Sequence, residues 1–280
     1  MNTATTMNRI DHWCERLGDF INPILVKETR QALKSRQFVV TFSLILFAAL
    51  AWTVAGSLSL MPQIYTSPSA QRMMTGYYVV LALPMLLVVP LAAYRSLESE
   101  IDDGTLELLS ITALSPWQIV LGKLASASLQ MLLYFITLFP CLAYAYTLRG
   151  VDLPTTFVLI GLLATVGILL TVVGLFFAPL ARARTGRIAT LLALIALLVM
   201  AEYGMGATAI GMIWYGNPLP PATLIFAVFA LLAISFALGQ LLLTATAAQL
   251  TPETENRSTA LRLSMLAVSA TLIVIMTLGI

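Results

Sequence analysis

Seven stretches of this chain are apolar for about as long as a helix needs to cross a bilayer, and the charges fall between them. They cover residues 38–60, 73–94, 123–148, 155–181, 188–213, 222–249 and 262–280. A hydrocarbon core of about 30 Å takes about 20 apolar helical residues. Lipid offers the backbone no water to bond, so a spanning segment is a helix or part of a closed barrel. The strict alternation of a barrel strand is missing here. The pattern predicts an all-α, polytopic helical membrane protein with six core transmembrane helices and a seventh at the end. Composition agrees: 59% of residues are hydrophobic and 10% charged, where a soluble domain carries about 25% charged residues. That balance excludes an ordinary soluble enzyme. With two Cys and one His, the chain also lacks a disulfide framework and a zinc site built from several such ligands.

Orientation follows from Lys and Arg in the short connections. With the N-terminus in the cytoplasm, only Arg72 and Arg149 of the 15 basic residues fall outside, leaving 13 within. The chain then divides into a cytoplasmic N-terminal segment (1–37), a transmembrane domain (38–250) and a cytoplasmic loop with an additional transmembrane helix (251–280). Asp11, Glu15, Asp19 and Glu28 occupy the first 37 residues, which do not read as a cleaved signal.

Asn22-Pro23 opens an amphipathic helix expected to run to Gln37, since Asn caps well and Pro suits the first turn. Leu25, Val26, Thr29, Ala32 and Leu33 share one face at helical spacing, and Lys27, Glu28, Arg30, Lys34 and Arg36 populate the rest. Such a helix lies along the inner surface with its cations near anionic headgroups. It either only anchors the first span or also passes on motion.

The connection at 95–122 gathers five acids: Glu98, Glu100, Asp102, Asp103 and Glu107. Gly104 breaks the helix continuing from span two. Thr105 caps a short helix carrying Leu106, Leu108, Leu109 and Ile111. Ser115-Pro116-Trp117-Gln118 is a capping-box start for the helix that becomes span three. The result is a cytoplasmic elbow whose exposed leucines either dock another protein or rest on the membrane surface. Asp102-Asp103 as a magnesium site for lipid-phosphate chemistry is the weaker alternative, because no second carboxylate motif or basic clamp accompanies it.

Glu202 is the one ionisable residue well inside an apolar stretch. Gly204, Gly206 and Gly211 follow, then Trp214 and Tyr215. This tract is expected either to bend the chain back into the membrane from outside or to place Glu202 at the outer interface, solvated from there. Pro84, Pro90, Pro140 and Pro179 are expected to kink spans. No GxxxxGK[ST], GxSxG or HExxH pattern occurs. The chain therefore binds no nucleotide by the first device, and any energy for pumping comes from a partner.

Two motifs carry a resemblance. Glu98-x-Glu100, Asp103-Gly104-Thr105-Leu106-Glu107-Leu108-Leu109, Ala113-Leu114-Ser115-Pro116 and Leu121-Gly122-Lys123 resemble the cytoplasmic loop of ABC transporter permeases of the type-2 exporter class. Asn22-Pro23-Ile24-Leu25-Val26-Lys27-Glu28 is similar to the opening of such permeases. The resemblance implies a non-catalytic transmembrane subunit in a bacterial inner (plasma) membrane. It implies an ATPase partner that binds ATP and magnesium, and a second permease subunit, alike or different. No cofactor on this chain and no nucleic acid are implied. The segment Thr105–Ile111 would be the coupling helix, with Glu98 to Leu109 facing the ATPase. Residues 23–37 would be the interfacial helix, and Glu202, Gly204 and Gly206 would match the family's re-entrant outer segment or line the pathway. Six spans are usual in that family; a seventh is a departure. A secondary carrier or channel is the rival reading; it calls for polar groups at mid-membrane and inverted repeats.

Overall fold

A computed structural model of the chain describes residues 23–61, 67–103, 115–180, 184–216, 220–251 and 258–279. No strand occurs among these residues. The molecule is an all-α, multi-pass membrane protein, and seven of its helices are long and apolar enough to cross a bilayer.

The amphipathic helix α1 spans Pro23–Lys34 and stops earlier than expected. Ser35 ends it. Its hydroxyl donates to the Ala32 carbonyl at 2.7 Å and accepts from the Phe38 amide at 3.1 Å. One side chain thus closes α1 and N-caps α2 (Arg36–Leu60), the first span. Arg36 and Gln37, expected in the amphipathic helix, belong to that span.

Span two is built in three pieces: α3 (Ala70–Leu83), a π-helical turn (Pro84–Val88) and α4 (Val89–Asp102). Pro84 and Pro90 lack amide hydrogens, so the α-helical ladder cannot run through them, and the wider turn absorbs the mismatch. Pro140, by contrast, sits inside α5 (Pro116–Thr147) without ending it. The Ser115–Gln118 capping box opens α5 as the sequence predicts. A tight connection with Arg149 at φ 60° and Gly150 at φ 110° leads to α6 (Leu153–Phe177). Asp152 caps α6 by accepting from the Thr155 amide at 3.4 Å, and it also accepts from the Thr155 hydroxyl at 2.9 Å. Pro179 lies in the short 3-10 turn Ala178–Leu180 that closes span four. The last three spans are α7 (Arg184–Tyr215), α8 (Pro221–Leu250) and α9 (Ser258–Leu278).

Spans two and three run 33 and 32 residues, roughly 50 Å of helix each against a hydrocarbon core of about 30 Å. Both are therefore longer than the apolar slab is thick. In the interior, α3, the π turn and α4 form the central column, packed against α2, α5, α6 and α7. Tyr77, Leu86, Tyr94 and Leu97 from this column are fully buried with Tyr134 and Leu138 of α5 and Leu175 of α6. Gly174 lets α6 approach: a Cβ there would stand 2.7 Å from the Pro90 carbonyl oxygen. Gly167, two turns earlier, faces the Met85 carbonyl at 3.2 Å by the same measure. The periphery is different. α9 rests on α8, where Thr244 donates to Ser264 at 3.0 Å, and only 6% of its apolar window is buried.

Candidate functional site

Lys123 stands two turns into α5 and is 3% exposed. An ammonium taken out of water needs close partners, and two neighbouring helices supply them. Nζ lies 2.9 Å from Glu100 Oε1 on α4 and 3.4 Å from Glu28 Oε2 on α1. It also donates to Ser96 Oγ on α4 at 2.9 Å. Ser96 and Glu100 are four residues apart, so one face of α4 presents both. Glu28 comes from α1 because that helix packs along the first turns of α5. Around the cluster lies a cleft of about 650 Å³, polar at Gln31, Ser35, Ser99 and Gln130 and apolar at Val88, Phe38 and Tyr134.

The elbow acids among the described residues do not form one patch. Glu98 accepts a hydrogen bond from Tyr94 at 3.0 Å. Glu100 turns toward Lys123, drawn by the enclosed cation, and keeps only part of its side chain exposed. Asp102 pairs with Arg187 at the start of α7. Asp103 caps α4 and stays exposed, its amide donating to the Ser99 carbonyl at 2.9 Å. Three carboxylates turned to three different partners make a poor magnesium site. Gly104, Thr105, Leu106, Glu107, Leu108 and Leu109, and with them the expected coupling helix, lie outside the described residues.

On α1, Arg30 and Lys34 are exposed, as the amphipathic reading predicts. Glu28 is not on that polar surface. It is buried against Lys123, because a carboxylate beside an enclosed cation gains more there than in water. Pro23 and Lys27 are helical in backbone.

The glycine tract is also corrected. α7 continues unbroken through Gly204, Gly206 and Gly211 to Tyr215, with no inward bend. A glycine costs a helix about 1 kcal/mol, less than freeing several backbone groups in lipid. The chain turns at Gly216 instead, at φ 74°. Glu202 lies on the continuous helix, well before the turn. It lies 18 residues from Arg184 and 13 from Tyr215, roughly 27 and 20 Å along the helix. Its Oε2 is buried with no hydrogen-bond partner, and so is the hydroxyl of Tyr78 on α3. Polar contacts join α7 to span two at both ends: Gln71 to the Trp214 carbonyl at 3.5 Å near one end, and Asp102 to Arg187 near the other.

Lys123, Ser96, Arg187 and Tyr78 were not singled out as site residues by sequence reasoning. A signal existed for the first. The capping box starts α5 eight residues before Lys123, which places that cation inside the helix and not at its mouth. No protein-family model matches the chain, and no curated protein is significantly similar to it.

Proposed function

We propose that this chain is the transmembrane permease subunit of a type-2 ABC exporter, moving a substrate across the inner membrane with ATP hydrolysed by a separate subunit. Its N-terminus and the Lys123 cluster then face the cytoplasm. The observation that carries the reading is the Glu28–Lys123–Glu100 clamp. It joins α1 to the bases of spans two and three, the two helices that hold the 104–114 segment between them. A push delivered to that segment by an ATPase reaches three helices at once. ATP binding then favours one arrangement of the spans over another, a population shift driven by differential binding. A second permease subunit completes the pathway, and exposed apolar faces on α2, α7 and α8 are available to it or to lipid. In this reading ATP hydrolysis belongs to the partner subunit, and this chain has no catalytic role in it.

A second reading, a carrier or channel working without an ATPase, has one observation in its favour: the buried, unpartnered Oε2 of Glu202 within the apolar span α7. ATP hydrolysis separates the two. The chain is reconstituted in lipid with an ABC ATPase from its own source, and vanadate-sensitive hydrolysis is measured against the ATPase alone. The permease reading predicts a severalfold change in rate on adding the chain. An unchanged rate with every such ATPase favours the carrier.

A further inference from the structure

The cleft beside the Lys123 clamp is walled by α1, α2, the π turn, α4 and α5. We propose that it binds a lipophilic organic cation, an ammonium or phosphonium carrying aromatic groups.

Size, charge and wall chemistry each bear on this. At about 650 Å³ the cleft falls within the range of about 300–1,000 Å³ in which small-molecule sites lie. Its charged lining among the described residues is Glu28, Glu100 and Asp103 against Arg95 and Lys123. Three carboxylates and two cations leave one negative charge in excess. The ammonium of the clamp is also the more hidden side: Lys123 keeps 2% of its side chain exposed and Glu100 keeps 24%. A ligand in the cleft therefore meets more carboxylate than ammonium. Phe38 and Tyr134 line the same space, their ring centroids 5.5 Å apart and their planes tilted by 33°. Phe42 joins them, 5.7 Å from Phe38. Aromatic faces attract cations, quaternary ones included, and repel anions.

The same features turn other ligands away. An anionic headgroup would face both the carboxylate excess and the rings. A neutral ligand would leave the excess unmatched. A metal ion needs converging donors, and no group of three or more His, Cys, Asp or Glu able to hold one occurs among the described residues. The alanine and valine walls at Val88, Ala92 and Ala127 suit an apolar body and give an inorganic ion nothing to bind.

Isothermal titration tests this on the full chain in nanodiscs of zwitterionic lipid, with the heat of empty nanodiscs subtracted. No ATPase is present, so the outcome is independent of the permease reading. Tetraphenylphosphonium is the probe, and tetraphenylborate, an anion of the same shape, is measured separately. The cation should bind saturably at one site per chain and the anion should not. Asp103→Lys changes an exposed residue and reverses the charge excess; it should weaken the cation by about tenfold. Phe38→Leu should weaken it by about two- to fivefold, and Ala92→Trp, which fills the cleft, should abolish binding in a variant that stays monodisperse. No saturable binding of the cation by the wild type, or equal or stronger binding of the borate, overturns the proposal without any variant. Unchanged affinity in both Asp103→Lys and Ala92→Trp places the cation elsewhere and overturns it as well.

Discussion

Lys123 shows why a single buried charge constrains more of this molecule than any apolar residue. It is enclosed with two carboxylates and a hydroxyl. Removing one partner of a buried pair strands the other, at a cost of about 3–5 kcal/mol. Lys123→Met should therefore lower the thermal unfolding midpoint in detergent markedly. Combining it with Glu28→Gln and Glu100→Gln should restore much of the loss, since the stranded charges go too. A single variant as stable as wild type would show that the ion pairs hold nothing. The sequence made these residues visible only singly. Glu28 reads as part of a polar helix face, Glu100 as one acid of five, and Lys123 as one of the basic residues that set orientation. Nothing in their spacing reveals that residues 95 positions apart meet, because that contact is made by tertiary packing of α1 on α5.

Elements were far more legible than their meetings. The seven apolar runs, the Ser115 capping box and the break near Gly104 all follow from local chemistry, and α4 does end at Asp102. The boundaries that moved did so for local reasons as well: Ser35 serves two helices, and an unbroken α7 keeps its backbone paired in lipid. The glycines were misread in one place and passed over in another. Gly204, Gly206 and Gly211 have no neighbour within 4 Å of a Cβ and mark no bend. Gly174, by contrast, is where α6 meets the π-distorted column. Gly174→Ala forces a methyl group against the Pro90 carbonyl and should destabilise by about 1–3 kcal/mol. Gly161→Ala, in open space on the same helix, should be neutral or stabilise by about 0.5–1 kcal/mol. Thermal unfolding of the two variants side by side checks this; equal effects would mean that the close approach does not matter. Ser115→Ala should cost about 1 kcal/mol through the lost cap, on the same assay.

At the scale of the whole molecule, the fold is a buried central column with a loosely attached rim, and α9 is the loosest part. The permease proposal places the α1 end in the cytoplasm. In a chain freed of its native cysteines, Arg30→Cys should react with an impermeant maleimide only when the cytoplasmic face is open to it. Leu153→Cys, exposed at the opposite end, should react from outside in intact cells. The reverse pattern would invert the topology and remove the elbow from any ATPase. The most direct test of the central claim is co-purification. The tagged chain is expressed with the ABC ATPases of its source, as wild type and as the double charge reversal Asp103→Lys/Glu107→Lys. That variant spares Asp102, which is engaged by Arg187. The account predicts that an ATPase comes down with the wild type and is lost from a variant that remains monodisperse. If no ATPase associates with the wild type, or if one is retained equally by both, the elbow between spans two and three is not the coupling site.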